Sequence, residues 1–99
     1  MPQMLIDYYK AIEASSAKML DAAKSEDWDG VVRLEGVCAV LIEQLRLQAH
    51  REELEPKARI EKAHIMRRIL NNDAQIRYLA EPWVNQYVQK MECTQAYLH

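Results

Sequence analysis

The chain has no phenylalanine, and only two glycines and three prolines punctuate its 99 residues. So few breakers exclude a turn-rich β-sandwich, a collagen-like repeat and a Pro/Gly linker. β-Branched residues are also few, which argues against an extensive sheet. The two cysteines, Cys38 and Cys93, have neither CxxC nor metal-ligand spacing. A disulfide scaffold and a zinc site are therefore excluded, and both are read as reduced thiols, Cys38 on an apolar helical face. No apolar run approaches the length of a membrane span, and no basic segment precedes an apolar one, so the expected location is the cytoplasm. Nor is there a cation excess. A net charge of −2 and a pI near 5.9 speak against a nucleic-acid-binding domain.

What is present is helical material. Ala, Leu, Glu, Gln, Lys and Arg dominate, and 99 residues suffice for one domain with one modest core. The spacing predicts a first helix over about 3–25, with Leu5, Tyr9, Ile12, Ser16, Met19, Leu20 and Ala23 on one face. Asp27 is a good N-cap for a second helix over about 28–53, because its carboxylate can accept from the free amides of the next turn. Trp28 then closes that end of the bundle. Trp28, Val31, Leu34, Cys38, Leu41, Ile42 and Leu45 span a wide apolar arc on the second helix. Val40 and Leu47 fall outside the arc and read as surface apolars. Glu55-Pro56 separates this helix from a third over about 57–81. Pro82 is expected either to kink the chain or to open a shorter fourth helix over about 83–98, with Val84, Tyr87, Val88 and Met91 on one face.

The third helix is the stretch that sets the architecture. At 100° per residue its apolar side chains fall on two nearly opposite faces. Ala58, Ile65, Ile69, Ile76 and Leu79 form one stripe. Ile60, Ala63, Leu70 and Ala74 form the other, with Met66 and Tyr78 at its edges. A surface helix ordinarily needs a single stripe, so this one is expected to have neighbours on both sides. Short links make sequence neighbours antiparallel. The expected fold is all-α, a single antiparallel bundle over residues 1–99 of three long helices plus a shorter C-terminal one. The fourth helix is expected to cover one stripe of the third and to be displaced from it by a partner. The residues assigned to partner binding are Ile65, Ile69, Asn72, Ile76 and Leu79, with Arg68 beside them. Asn72, in line with Ile69 and Ile76, is also suited to fixing helix register by demanding a polar partner.

Chemistry is thin. Glu61-Lys-Ala-His64 has the E-x-x-H spacing of di-iron carboxylate bundles, but a second such motif is missing and His64 reads as a surface histidine. No catalytic triad, phosphate loop or metal cluster is visible, so no enzyme, cofactor or metal is expected. Glu35, within the second helix's arc, is expected to pair with a basic residue of the first or third helix. Charge is uneven. Residues 1–55 carry six basic and eleven acidic side chains, whereas 56–78 carry Lys57, Arg59, Lys62, Arg67, Arg68 and Arg77 against Glu61 and Asp73. Internal charge complementarity is the plain reading. Two other classes stay open: a structural homodimer burying the extra apolar surface, and a nucleic-acid-associated regulator using Arg67, Arg68 and Arg77.

Two segments carry a family resemblance. Ser25-Glu-Asp-Trp-Asp-Gly-Val-Val-Arg-Leu-Glu35 resembles the G-[DE]-W-[DE]-x-L-x-x-L-E segment between the first two helices of FliT-type flagellar export chaperones. Ile69-Leu-Asn-Asn-Asp-Ala-Gln-Ile-Arg-Tyr-Leu79, followed by Pro82, is similar to the family's third helix. The likeness extends over essentially the whole chain. Glu26 stands where the family has glycine, and Gly30 where an aliphatic residue is usual. The resemblance implies a cytoplasmic chaperone that shields the C-terminal helical segment of the filament-cap subunit before type III export. It implies export-apparatus components as further partners and, for some members, the flagellar master transcription activator. It also implies a C-terminal helix that partly covers the binding surface, and no direct contact with membrane or nucleic acid.

Overall fold

The computed structural model describes the backbone of residues 4–98 and the side chains of residues 5–82. Three helices follow one another: α1 (Met4–Lys24), α2 (Trp28–Ala49) and α3 (Pro56–Leu98). There is no strand among the described residues. Nor is any helix among them long and apolar enough to cross a membrane.

The α1–α2 corner is a Schellman turn followed directly by an N-cap. The Asp27 amide donates to the Ala22 carbonyl at 2.8 Å and the Glu26 amide to the Ala23 carbonyl at 3.1 Å, satisfying the last carbonyls of α1. Glu26 takes the left-handed position with φ 60°. The Asp27 carboxylate then accepts from the Gly30 amide at 3.0 Å, the expected cap of α2. A Cβ on Gly30 would stand 2.4 Å from Asp27 Oδ2. Glycine at 30 is thus what lets this carboxylate fold back so tightly.

At the other corner α2 stops at Ala49, earlier than the expected 53, and a loop leads to Pro56. The cause is tertiary. Glu52 Oε1 accepts from the Leu5 amide at 3.1 Å and from Gln48 Nε2 at 3.0 Å, so this side chain caps the start of α1. The Glu52 amide still donates to the Gln48 carbonyl at 3.0 Å, closing the last turn before the loop.

α1 lies between the other two. It packs against both, while no Cα of α2 comes within 8 Å of one in α3 among the described residues. Among the described residues, five of the eight buried apolar ones, Leu5, Ile6, Ile12, Leu20 and Ala23, sit on α1; α2 adds Val31, and α3 adds Ile65 and Ile76. Leu20, Ala23, Val31 and Ile76 meet near the α1–α2 corner, where Met19, Ala22 and Trp28 pack over them. Beyond Val31 the wide α2 arc is accordingly only half-buried, because among the described residues the α3 backbone does not come close to it. Ile42, assigned to that arc, is exposed. Glu35 is exposed too and forms no ion pair among the described residues, a correction to the expected bridge: water solvates it where a third helix was expected.

A second correction concerns the C-terminus. The expected break at Pro82 does not occur, and α3 runs on through it to Leu98 as one helix of 43 residues. Proline removes the donor that the Tyr78 carbonyl would have used, and strong helix formers on either side carry the helix across. α1 has 21 residues and α3 twice that, so the second half of α3 has no α1 beside it. A helix that continues in its own direction cannot double back over its first half. The separate covering helix is therefore replaced by a continuation. The side chains assigned to it, Val84, Tyr87, Val88 and Met91, lie outside those described.

Candidate partner-binding surface

Four contacts define how α3 lies on α1. Lys10 Nζ meets Glu61 at 3.2 Å, and Lys62 Nζ stands 5.4 Å from the centroid of the Tyr9 ring. Further along, Arg68 Nε donates to Glu13 at 3.0 Å and Asn72 Nδ2 to Ser16 Oγ at 3.0 Å. The last two pairs are separated by 55 and 56 positions, the near-constant offset of two helices running side by side in the same direction. α2 is antiparallel to both.

Ser16 is the buried polar residue of this interface, 6% exposed, and its hydroxyl also donates to the Glu13 carbonyl at 2.8 Å. Asn72 must reach it for the hydroxyl to be fully partnered. Sliding α3 by one turn would take the Asn72 amide from the Ser16 hydroxyl and leave that hydroxyl with only its bond to Glu13, at a cost of about 1–3 kcal/mol. The register role read for Asn72 thus has a concrete partner.

This geometry fixes which stripe of α3 faces inward. Ile65 is 1% and Ile76 8% exposed, Ile69 and Asn72 are half-buried between them, and Ala58 is half-buried before them. Arg68, beside them, spends its guanidinium on Glu13. Of the residues assigned to partner binding, Ile65, Ile69, Asn72 and Ile76 are consequently packing residues of the α1–α3 seam, and Leu79 stands at its rim, partly exposed. The open face is the opposite stripe. Ile60 is 63%, Leu70 59% and Tyr78 75% exposed, with Ala63, Met66 and Ala74 exposed among them. Ala74, Tyr78 and Ala80 also line a shallow depression flanked by Arg77 and Glu81, close to Pro82.

α2 repeats the pattern on a smaller scale. Val32, Val40 and Leu47 are exposed on the side away from α1, with Gly36 and Ala39 between them. Cys38 faces the other way and is half-buried; loss of solvent pushes its thiol pKa above the ordinary value, a hydrogen bond from Ser15 lowers it, and the Glu35 charge raises it. His64 is exposed, and its E-x-x-H partner Glu61 is engaged by Lys10.

A family model described as "Flagellar protein FliT" matches residues 6–96, nearly the full length of the chain. The chain belongs to the FliT family. A crystal structure of flagellar protein FliT from Bordetella bronchiseptica superposes with a TM-score of 0.73 at 33% identity, covering 86% of this chain and 96% of that one. No curated relative matches the chain. Membership makes the chain a FliT-type flagellar chaperone, with type III export and binding of export-related partners as its family character.

The corner also bears on Glu26. A left-handed position is most easily filled by glycine. Here the same backbone geometry, φ 60°, is imposed on a glutamate. Sequence reasoning singled out the substitution but carried no signal for the outcome.

Proposed function

We propose that the chain is a cytoplasmic chaperone that holds the C-terminal helical segment of the flagellar filament-cap subunit before type III export. The segment docks as an amphipathic helix along the outer stripe of α3. The observation that carries this reading is the exposure of Ile60, Leu70 and Tyr78 on a helix whose other face is already occupied by α1. An apolar row of that kind on a small domain is a docking surface by default. We extend the proposal to an export-apparatus component and the flagellar transcription activator as further partners, on the strength of the family resemblance.

Calorimetry with the filament-cap C-terminal segment tests the central claim. Leu70→Asp should abolish binding while leaving helicity and melting unchanged, since Leu70 is outside the core. Binding that survives both Leu70→Asp and Tyr78→Asp would place the client elsewhere. The exposed row Val32, Val40 and Leu47 on α2 favours a second reading, a homodimer through α2. Light scattering across a concentration series, with Val40→Asp as control, separates it: a size that rises with concentration and collapses in the variant supports the dimer.

A further inference from the structure

The outer stripe of α3 contains one charge at its middle. Arg67 is exposed, with Ala63 and Ile60 one and two turns before it and Leu70 and Ala74 one and two turns after it, all of them exposed. Its neighbours three and four positions away are Ala63, His64, Leu70 and Asn71, none of them acidic. Two of the other arginines of α3 are paired: Arg68 with Glu13 across the seam, and Arg77 with Asp73 one turn back. Arg67 meets no carboxylate among the described residues. Arg59, eight positions earlier, is exposed and likewise has no carboxylate within ion-pair distance among those residues.

An apolar helix docking on this row would strip water from Arg67. A guanidinium desolvated without a partner is costly, so a merely apolar client would be penalised at the centre of the footprint. A carboxylate placed opposite converts that penalty into a charge-assisted, two-pronged hydrogen bond. We propose that this stripe selects an amphipathic helix carrying a carboxylate within or beside its apolar face, aligned on Arg67, with a second acidic position toward Arg59. The eight-residue rise between the two arginines is about 12 Å, which a partner helix spans in seven or eight residues. Nucleic acid is the poorer occupant. The arginines that would widen the patch, Arg68 and Arg77, are already neutralised, and apolar side chains flank Arg67 along the row.

This inference rests on the outer stripe being the client surface, and its test separates the two. Three synthetic amphipathic helices of about 20 residues, identical but for Glu, Gln or Lys at the centre of the apolar stripe, are titrated against the intact chain. The Glu peptide should bind about tenfold tighter than the Lys peptide at low salt, with Gln between. Arg67→Ala should erase the difference, and Arg67→Glu should reverse it, with circular dichroism unchanged in both. Equal affinity for the three peptides, or indifference of the Glu peptide to Arg67→Glu, overturns the inference but leaves the client surface standing. No binding of any peptide, together with wild-type cap-segment binding by Leu70→Asp, overturns the surface itself. Salt-dependent capture of a DNA duplex that Arg67→Glu abolishes, without peptide discrimination, would replace the helix by nucleic acid. Self-association that Leu70→Asp relieves and the peptides do not compete would replace it by a second copy.

Discussion

Glu26 shows what a single residue can conceal. It closes a Schellman turn in the left-handed region, where a side chain costs roughly 1–2 kcal/mol, and it is exposed. Glu26→Gly should therefore stabilise the chain, by about 0.5–1 kcal/mol once glycine's greater unfolded-state freedom is subtracted. Urea denaturation reads this as a higher midpoint at unchanged slope; an unchanged or lower midpoint would mean that Glu26 makes a contact compensating its strain. At the same scale the Asp27 cap was legible, because a carboxylate before a run of helix formers has one obvious use. The turn geometry of Glu26 was not, since nothing in a glutamate announces a positive φ. Cys38 gives a second prediction. Its thiol pKa is raised mainly by desolvation, so the folded chain favours the protonated form. The stability it contributes is whole below the unfolded thiol's pKa and is lost as pH rises through the folded value. In a Cys93→Ser background, alkylation by iodoacetamide near pH 8 should be slower for the folded chain than in urea. Equal rates would mean that Cys38 is as open to solvent folded as unfolded.

Between elements, the α1–α3 seam is held by a polar contact inside an apolar stripe. The sequence marked Asn72 as a residue in need of a partner, but Ser16 was only one of several small residues on the facing helix. The pairing exists only once the two helices lie parallel. Asn72→Ala should cost about 1–2 kcal/mol, and so should Ser16→Ala, each leaving a half-satisfied group in the seam. The double variant should cost clearly less than their sum, because the second change removes a group already orphaned. Strict additivity would mean that the two side chains act independently. By contrast, Arg68→Ala should lie within about 1 kcal/mol of wild type, since its ion pair with Glu13 is half in water. The boundary errors have the same origin. Glu52 leaves α2 to cap α1, a tertiary duty invisible to local propensity. Pro82 obeyed the rule for proline within a helix instead of the rule for proline as a stop.

For the molecule as a whole, the two stripes of α3 were legible from periodicity, but their allotment was not. Both are apolar, and the contacts of Arg68 and Asn72 with Glu13 and Ser16 mark the one that turns inward. The covering helix was inferred from a surplus of apolar surface together with a proline; the surplus is present, the fold-back is not. That distinction can be measured by ending the chain after Glu81. Every buried apolar residue among those described lies at or before Ile76, so α1, α2 and the first part of α3 should remain folded and melt cooperatively. Helical signal should fall in proportion to the residues removed. The outer stripe, from Ile60 to Tyr78, survives the cut intact, so affinity for the filament-cap segment should be unchanged. A rise in affinity would mean that residues 82–98 compete for the stripe in solution, restoring the covering role against the continuous helix. Global unfolding would mean that the second half of α3 belongs to the core, and that α1 is not the only element holding the fold together.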